Sequence, residues 1–190
     1  MTPDDINSPN IGRPSVSTLI DQALAYQRSG RFSAAARHYR EALSLAPSNA
    51  IAHCSLSVVL ASLGEFDEAI AHAATAVSLQ PDHLYPHMNA AFIEADRDRF
   101  PEALAWIERV PRHLMRNAAA LTSLAEILVK AGRHREALVA CDEAILLDAD
   151  FADAHLCRAA ALGQLGRPEE AQASLERATA LDSAIVSPPQ

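Results

Sequence analysis

Eight histidines and three cysteines give this chain its main potential for metal or nucleophilic chemistry. A zinc ion needs three or four such ligands at about 2.0–2.3 Å. His83 and His87 are four residues apart, but Pro86 and the start of a predicted helix lie between them. His53, His87 and His155 recur in one column of a repeated pattern, so they lie on separate helices roughly 10 Å apart or more. The spacing therefore predicts no metal site.

Motifs for catalysis are also missing from the sequence. It contains no glycine-rich phosphate loop, no GxSxG motif and no HExxH pair. The odd number of cysteines, none in a CxxC arrangement, is typical of reduced thiols in the cytoplasm. We expect Cys141 to be a small buried residue, and Cys54 and Cys157 to face a surface groove. We therefore expect no catalytic residue, no cofactor and no enzymatic activity.

The charge distribution excludes further classes of function. The formal net charge is −8, and Lys130 is the single lysine among the sixteen basic residues. No concentrated basic stripe is present, which argues against a nucleic-acid partner. The first residues have no signal-peptide pattern, and no segment approaches the roughly 18–20 apolar residues that span a bilayer. These features predict a cytoplasmic protein without a membrane span.

The elements that position the side chains follow a 34-residue repeat, as seen in the interval from Ala35 to Ala69. The frame begins at Val16 and fits five times without insertion, at 16–49, 50–83, 84–117, 118–151 and 152–185. In the clearest copy, 50–83, two amphipathic segments are separated by Gly64 and closed by Pro81. We expect residues 1–15 to be a disordered leader and 186–190 a flexible tail.

Small residues and glycines recur at fixed positions of this frame. Two helices of a pair can approach closely only where both present a small side chain. Glycine ends the first helix, because it adopts the left-handed conformation without steric penalty. Ser48 or Asn49, Asp82, Asn117 and Asp150 are the expected N-caps of the following first helices. The small columns are Ala23, Ser57, Ala91, Ala125 and Ala159 in the first helices and Ala35, Ala69, Ala103, Ala137 and Ala171 in the second.

This pattern resembles the tetratricopeptide repeat (TPR) family in its period, its helix–turn–helix unit, its small–Gly–aromatic run and its late proline. The resemblance covers residues 16–185 and implies an all-α, right-handed α-solenoid of five TPR repeats. Three features depart from the family pattern, and one is that the late proline is kept only as Pro47 and Pro81. Histidine stands where the family has a large aromatic residue, at His53, His87 and His155, and Asp98 replaces the turn glycine of the third repeat.

The second helix of the third repeat is expected to be irregular. Pro111 falls where that helix should still be running, and proline removes an intrahelical hydrogen bond. We expect the helix to end near Val110 and residues 111–116 to form a looser turn. We expect this turn to be a drifted linker. The alternative, a hinge or contact loop, rests on the cluster of Arg109, Arg112, His113 and Arg116.

The resemblance also implies that the first helices line a concave groove for a partner. An apolar patch is expected to run across the second and third repeats, and exposed patches of this kind usually mark contact surfaces. The alternative is that the ends of the chain or a neighbouring molecule cover the patch. The patch comprises Ile51, Val58, Tyr85, Met88 and Phe92, and the whole predicted lining is Ile51, Cys54, Ser55, Val58, Tyr85, Met88, Asn89, Phe92, Thr122 and Glu126.

These features predict a non-enzymatic scaffold that binds a peptide or an amphipathic helix of another protein. Some TPR domains hold the acidic tail of heat-shock chaperones with Lys, Asn and Arg on successive first helices. The matching positions here are mostly apolar or uncharged, which argues against that partner: Ile20, Leu24, Ser55, Tyr85 and Asn89.

Two alternative functions remain open at the level of sequence. The chain could be the substrate-recognition domain of a larger glycosyl- or sulfotransferase. It could instead be a self-assembling scaffold that forms a homo-oligomer through its C-terminal repeat. Leu175, Ala178 and Leu181 give the terminal face no polar cap, so we expect a second copy, a further part of the polypeptide or a partner to cover it.

Overall fold

The computed structural model describes residues 14–186 and the side chains as far as Asp182. The expected leader and tail lie almost wholly outside the described residues. Ten α-helices and no strand occur within 14–186, which confirms the predicted all-α solenoid. None of these helices is long and apolar enough to cross a lipid bilayer. The helices are α1 Val16–Arg28, α2 Phe32–Leu45, α3 Ala50–Ser62, α4 Phe66–Leu79, α5 Leu84–Ala95, α6 Phe100–Glu108, α7 Ala118–Lys130, α8 His134–Leu147, α9 Ala152–Gln164 and α10 Pro168–Val186.

The small columns hold each helix pair together. All their members in the first four repeats are fully buried. Ser57 remains satisfied inside the core, because its hydroxyl donates to the Cys54 carbonyl at 2.7 Å. In the fifth repeat Ala159 and Ala171 are only partly buried, since no further helix of the described chain packs over them. Close helix crossing at small residues is thus the basis of the repeat unit.

The first helices form the inner side of the array. α3 packs against α5, α5 against α7, and α7 against α9, whereas successive second helices make no comparable contact among the described residues. An array whose helices approach more closely on one side curves toward that side. Tyr39 of α2 is fully buried between α1 and α3, and its hydroxyl donates to Gln27 Oε1 at 3.0 Å.

Each helix pair turns through a residue in the left-handed region. Gly64 has a φ of 80°, and the equivalent glycines of three other repeats are similar. In the third repeat Asp98 takes this position with a φ of 58°, and no other non-glycine residue in the described range has a positive φ. This conformation costs an L-residue roughly 1–2 kcal/mol, although aspartate tolerates it better than most residues.

Substituting Asp98→Gly should stabilise the third repeat by roughly 0.5–1 kcal/mol, because glycine relieves the backbone strain but also loses more entropy on folding. Urea unfolding followed by circular dichroism measures the change in the midpoint. Asp98→Ala is the matched control and should give no gain, since alanine keeps the Cβ. Equal stabilisation by both variants would mean that the charge of Asp98, and not its backbone, is unfavourable.

The third repeat contains the shortest helix. α6 has 9 residues, whereas α2, α4 and α8 each have 14. It ends at Glu108, two residues before the expected position, so the predicted early end is confirmed, whereas the turn that follows is less loose than expected. The Leu114 N–H donates to the Pro111 carbonyl at 2.9 Å within this turn. Leu114 and Met115 then fold back against the core, so the turn is packed.

Three histidines tie the loops between repeats to the helices that follow. In each case Nε2 lies within hydrogen-bond distance of a backbone carbonyl six residues earlier. A carbonyl can only accept, so Nε2 carries the proton and donates. The pairs are His53 with Pro47 at 2.9 Å, His87 with Pro81 at 3.2 Å and His155 with Ala149 at 2.9 Å.

His53 also forms a pair with His72 between α3 and α4. Their Nδ1 atoms are 2.7 Å apart, and since Nε2 of His53 is the protonated nitrogen, its Nδ1 accepts from Nδ1–H of His72. Nε2 of His72 lies 3.6 Å from Glu68, which in turn pairs with Arg40 of the preceding repeat. Burial and the neighbouring His53 lower the pKa of His72. This polar network fills the outer side of the junction between the first two repeats.

The lowered pKa of His72 makes stability depend on pH. In the unfolded chain His72 takes up a proton near its ordinary pKa of 6.5, whereas the folded chain does so only at a lower pH. The free energy of unfolding should therefore fall as the pH drops through 6.5. We expect His72→Gln to reduce the difference in urea midpoint between pH 7.5 and pH 5.5. His113→Gln, on the exposed turn, is the control and should leave that difference unchanged. An unaltered pH dependence in His72→Gln would contradict the assignment.

The C-terminal face is more polar than expected. Leu175 is exposed, but Ala178 is buried and Leu181 is partly buried. Beside them Gln172 donates to Glu176 at 2.9 Å. Of the three residues expected to leave this face without a polar cap, Leu175 alone is exposed, and a homo-oligomer through this face stays a prediction.

Candidate binding groove

One cleft opens where α3 and α5 begin. It has a volume of about 190 Å³. Tyr85 is 66% exposed at its edge, and Ile51 is also largely exposed. The cleft is apolar on these two sides and polar at Ser55 and His83. Its lining is Ala50, Ile51, Cys54, Ser55, Gln80, His83, Tyr85 and Pro86.

A second cleft lies along the C-terminal halves of the same two helices. Its volume is about 300 Å³. Val58 and Phe92 supply the apolar wall, and Phe92 is partly buried against the core of the third repeat. Asp96 closes the far end with a carboxylate. The lining is Val58, Ala61, Ser62, Asn89, Phe92, Ile93 and Asp96.

Asn89 joins α3 to α5 between the two clefts. Its Nδ2 lies 3.3 Å from both the carbonyl oxygen and the Sγ of Cys54. The side-chain N–H groups are therefore used within the protein, while Oδ1 has no hydrogen bond to the described residues. Asn89 is consequently placed to accept a hydrogen bond from a molecule in the groove.

Three residues predicted to face the groove are buried. Met88 is 5% exposed and Thr122 is 2% exposed, and Cys157 is also buried. Met88 lies on the side of α5 that packs against α6 and α7, so it belongs to the core of the third repeat. The expected continuous patch is therefore two separate apolar patches with Asn89 between them.

The thiols are poorly suited to nucleophilic chemistry. The Cys157 thiol forms a hydrogen bond with the fully buried Cys141. This hydrogen bond, together with burial, raises the pKa of the Cys157 thiol. Burial also raises the pKa of Cys54. Raised pKa values keep these thiols protonated, and the thiolate is the reactive form. Within residues 14–186 no three or more histidine, cysteine or acidic side chains are grouped so that they could hold a metal ion.

The far end of the groove is acidic. Glu126 on α7 is partly desolvated, and burial followed by the charge of Asp153 raises the pKa of its carboxyl. Lys130, whose charge acts in the opposite direction on Glu126, is paired with Asp96 at 2.8 Å. The groove thus changes from apolar at α3 and α5 to negatively charged at α7 and α9.

Sequence reasoning identified most of the cleft walls and missed their ends. Ile51, Tyr85, Val58 and Phe92 lie where they were expected, although their binding role remains a prediction. His83, Pro86 and Asp96 also line the clefts but were not predicted. They lie at or near the ends of α5, where the pattern of outward positions along a regular helix does not apply. Their closeness to the predicted helix ends was the sequence signal that could have identified them.

The fold is similar to several solved structures. MamA from Desulfovibrio magneticus RS-1 aligns at 16% identity with a TM-score of 0.71, over 90% of this chain and 97% of that one. YrrB, described as a TPR protein with an unusual peptide-binding site, aligns at 18% identity with a TM-score of 0.61, over 88% and 86%. PilF from Pseudomonas aeruginosa aligns at 18% identity with a TM-score of 0.75, over 87% and 75%. At these identities the similarity shows the fold alone.

Sequence models give the family. No curated protein matches the chain significantly. One model described as tetratricopeptide repeat matches residues 20–83 and 63–118, and a second with the same description matches 118–143 and 152–177. The first alone spans more than half of the chain. The chain therefore belongs to the tetratricopeptide repeat family.

Proposed function

We propose that the chain is a protein-interaction scaffold and that residues 16–185 bind a peptide or short amphipathic helix of another protein in the groove. The observation that carries this proposal is the pair of clefts between α3 and α5. Each has an apolar wall, and Asn89 between them offers an unused acceptor. The arrangement suits a ligand with two apolar side chains and a backbone N–H between them.

Position in the fold supports this assignment. The clefts lie on the inner side of the array, where a ligand can contact several repeats at once. Ile51 and Tyr85 expose large apolar side chains to solvent there, which is costly without a partner. Family membership supports a protein or peptide partner in general, and the peptide-binding site named for YrrB belongs to that protein.

A non-enzymatic role in the cytoplasm forms part of the same proposal. Support comes from the buried, protonated thiol of Cys157. The histidines of the repeated column also support it, because each already donates a hydrogen bond to a backbone carbonyl of the preceding loop. The first cleft contains Cys54, Ser55 and His83, but among the described residues His83 makes no hydrogen bond to either nucleophile, and acyl transfer requires such a bond. Its chemistry therefore favours binding over catalysis.

Selection of peptides from a random display library tests the proposal. We expect wild-type protein to enrich sequences with two spaced apolar residues, and we expect a groove variant, Phe92→Arg, to lose them. Isothermal titration of the best synthetic peptide then gives the affinity of each protein. Failure to enrich any sequence, or equal enrichment by the Phe92 variant, would refute groove binding.

A further inference from the structure

A third cleft lies on the outer side of the fourth repeat, away from the groove. It has a volume of about 400 Å³. α7 supplies a floor of leucines and α8 supplies one wall, where Val139 is 58% exposed. The lining is Leu121, Leu124, Leu128, Arg135, Glu136, Val139, Ala140 and Glu143.

Comparison with the second repeat explains why this cleft is open. His53 and His72 fill the equivalent space there, and Arg40 of α2 reaches across to Glu68. Two repeats later the equivalents of the histidines are Leu121 and Ala140, and the equivalent of the arginine is an acid, Glu108. The polar network is thus replaced by an apolar surface without a bridging side chain.

The charges beside this cleft are arranged symmetrically. Arg135 precedes Val139 by four residues and Glu143 follows it by four, so all three lie on one face of α8. Both charged side chains are exposed, and neither takes part in an ion pair among the described residues. Eight residues of helix separate the two charges by about 12 Å. Opposite charges at equal distances from a central apolar residue are complementary to the same helix running antiparallel.

We infer that α8 is the dimerisation helix of this protein and that the occupant of the cleft is a second copy of the chain. The two α8 helices pack antiparallel about a twofold axis at Val139. Arg135 of each copy then pairs with Glu143 of the other, and each Val139 enters the apolar cleft opposite. Such an interface is isologous and closes after two copies.

Leu146 extends the same complementarity. It lies seven residues after Val139 and is 86% exposed. The twofold axis places it beyond the start of α8 of the second copy, since α8 begins at His134. Leu146 therefore adds an apolar contact to the turn that precedes α8 of the second copy.

The dimer is expected to be weak and independent of the proposed groove. One helix from each copy gives an interface at the small end of the observed range, below about 1,200 Å². We therefore expect dissociation at micromolar concentration. The grooves remain open on the inner sides, so each dimer presents two of them.

Sedimentation velocity over a range from about 1 to 200 µM tests the proposal. We expect wild type to shift from monomer to dimer and Val139→Asp to remain monomeric with an unchanged circular dichroism spectrum. Leu45→Asp, on an exposed leucine of α2, is the matched control and should dimerise like wild type. Two results would overturn the proposal: a wild type that is monomeric throughout, or a Val139→Asp variant that still dimerises. Loss of dimer only in Leu175→Asp would point instead to the C-terminal face.

Charge reversal tests the pairing itself. Arg135→Glu and Glu143→Arg should each weaken the dimer by about tenfold or more, because each places like charges opposite one another. The double variant should recover the dimer, and an equimolar mixture of the two single variants should form heterodimers. If neither recovery nor heterodimers occur, residues 135 and 143 do not face each other and the antiparallel arrangement is wrong.

Discussion

Replacing Tyr39 by alanine is expected to lower the free energy of unfolding by about 3–5 kcal/mol, the usual range for removing a large buried aromatic side chain. Tyr39 is fully buried and fills the space between α1 and α3. The equivalent positions of the next three repeats hold Ala73, Ile107 and Cys141, all smaller than tyrosine. Urea unfolding followed by circular dichroism measures the loss.

Tyr39→Phe separates packing from hydrogen bonding. It keeps the ring and removes only the hydroxyl that donates to Gln27, so we expect a loss of about 1 kcal/mol. Repeat arrays unfold partly in segments. Hydrogen exchange in Tyr39→Ala should therefore lose protection in α1 and α2 while α7 to α9 retain theirs. Uniform loss along the chain would mean that the array unfolds as one unit.

Replacing Phe92 by arginine is expected to weaken binding of the selected peptide by roughly 30-fold or more, the effect of losing one central hot-spot residue of about 2 kcal/mol. The substitution puts a charge in the apolar wall of the larger cleft. Phe92 is partly buried against the core, so folding must be tested separately. Titration calorimetry and circular dichroism of the same samples give both quantities.

Tyr85→Arg provides the independent variant for the groove. Its side chain is mostly exposed, so it tests the smaller cleft with little effect on the core. Leu79→Arg, an exposed leucine of α4 outside both clefts, is the matched control and should bind normally. Retention of affinity in both groove variants would place the binding surface elsewhere.

The repeat period was sufficient to predict the fold. A small residue every 34 positions requires a close helix crossing in every repeat, and the buried columns confirm this. The early end of α6 was also predictable, because Pro111 has no N–H to donate. Both predictions depend on local covalent chemistry or on a strict period, which sequence displays directly.

The orientation of individual side chains was less predictable. Met88 and Asn89 differ by one position, which is about 100° around a helix, and a small rotation of α5 decides which of them reaches the surface. The caps show the same limit. Asn49 accepts from Ala52 N–H at 2.9 Å as expected, but the helix expected to begin after Asp82 is capped at His83 without a side-chain bond. Such details depend on packing between helices.

Because α6 is short, it makes less contact with the following first helix than α2, α4 and α8 make with theirs. In an array of similar helix pairs, bending is expected first at the junction with the least packed contact. The other second helices keep a further turn in contact with the next repeat, and a packed loop replaces that turn after Glu108. We expect the angle between the apolar and the acidic ends of the groove to vary most at this junction, so a ligand that spans both ends would fix that angle.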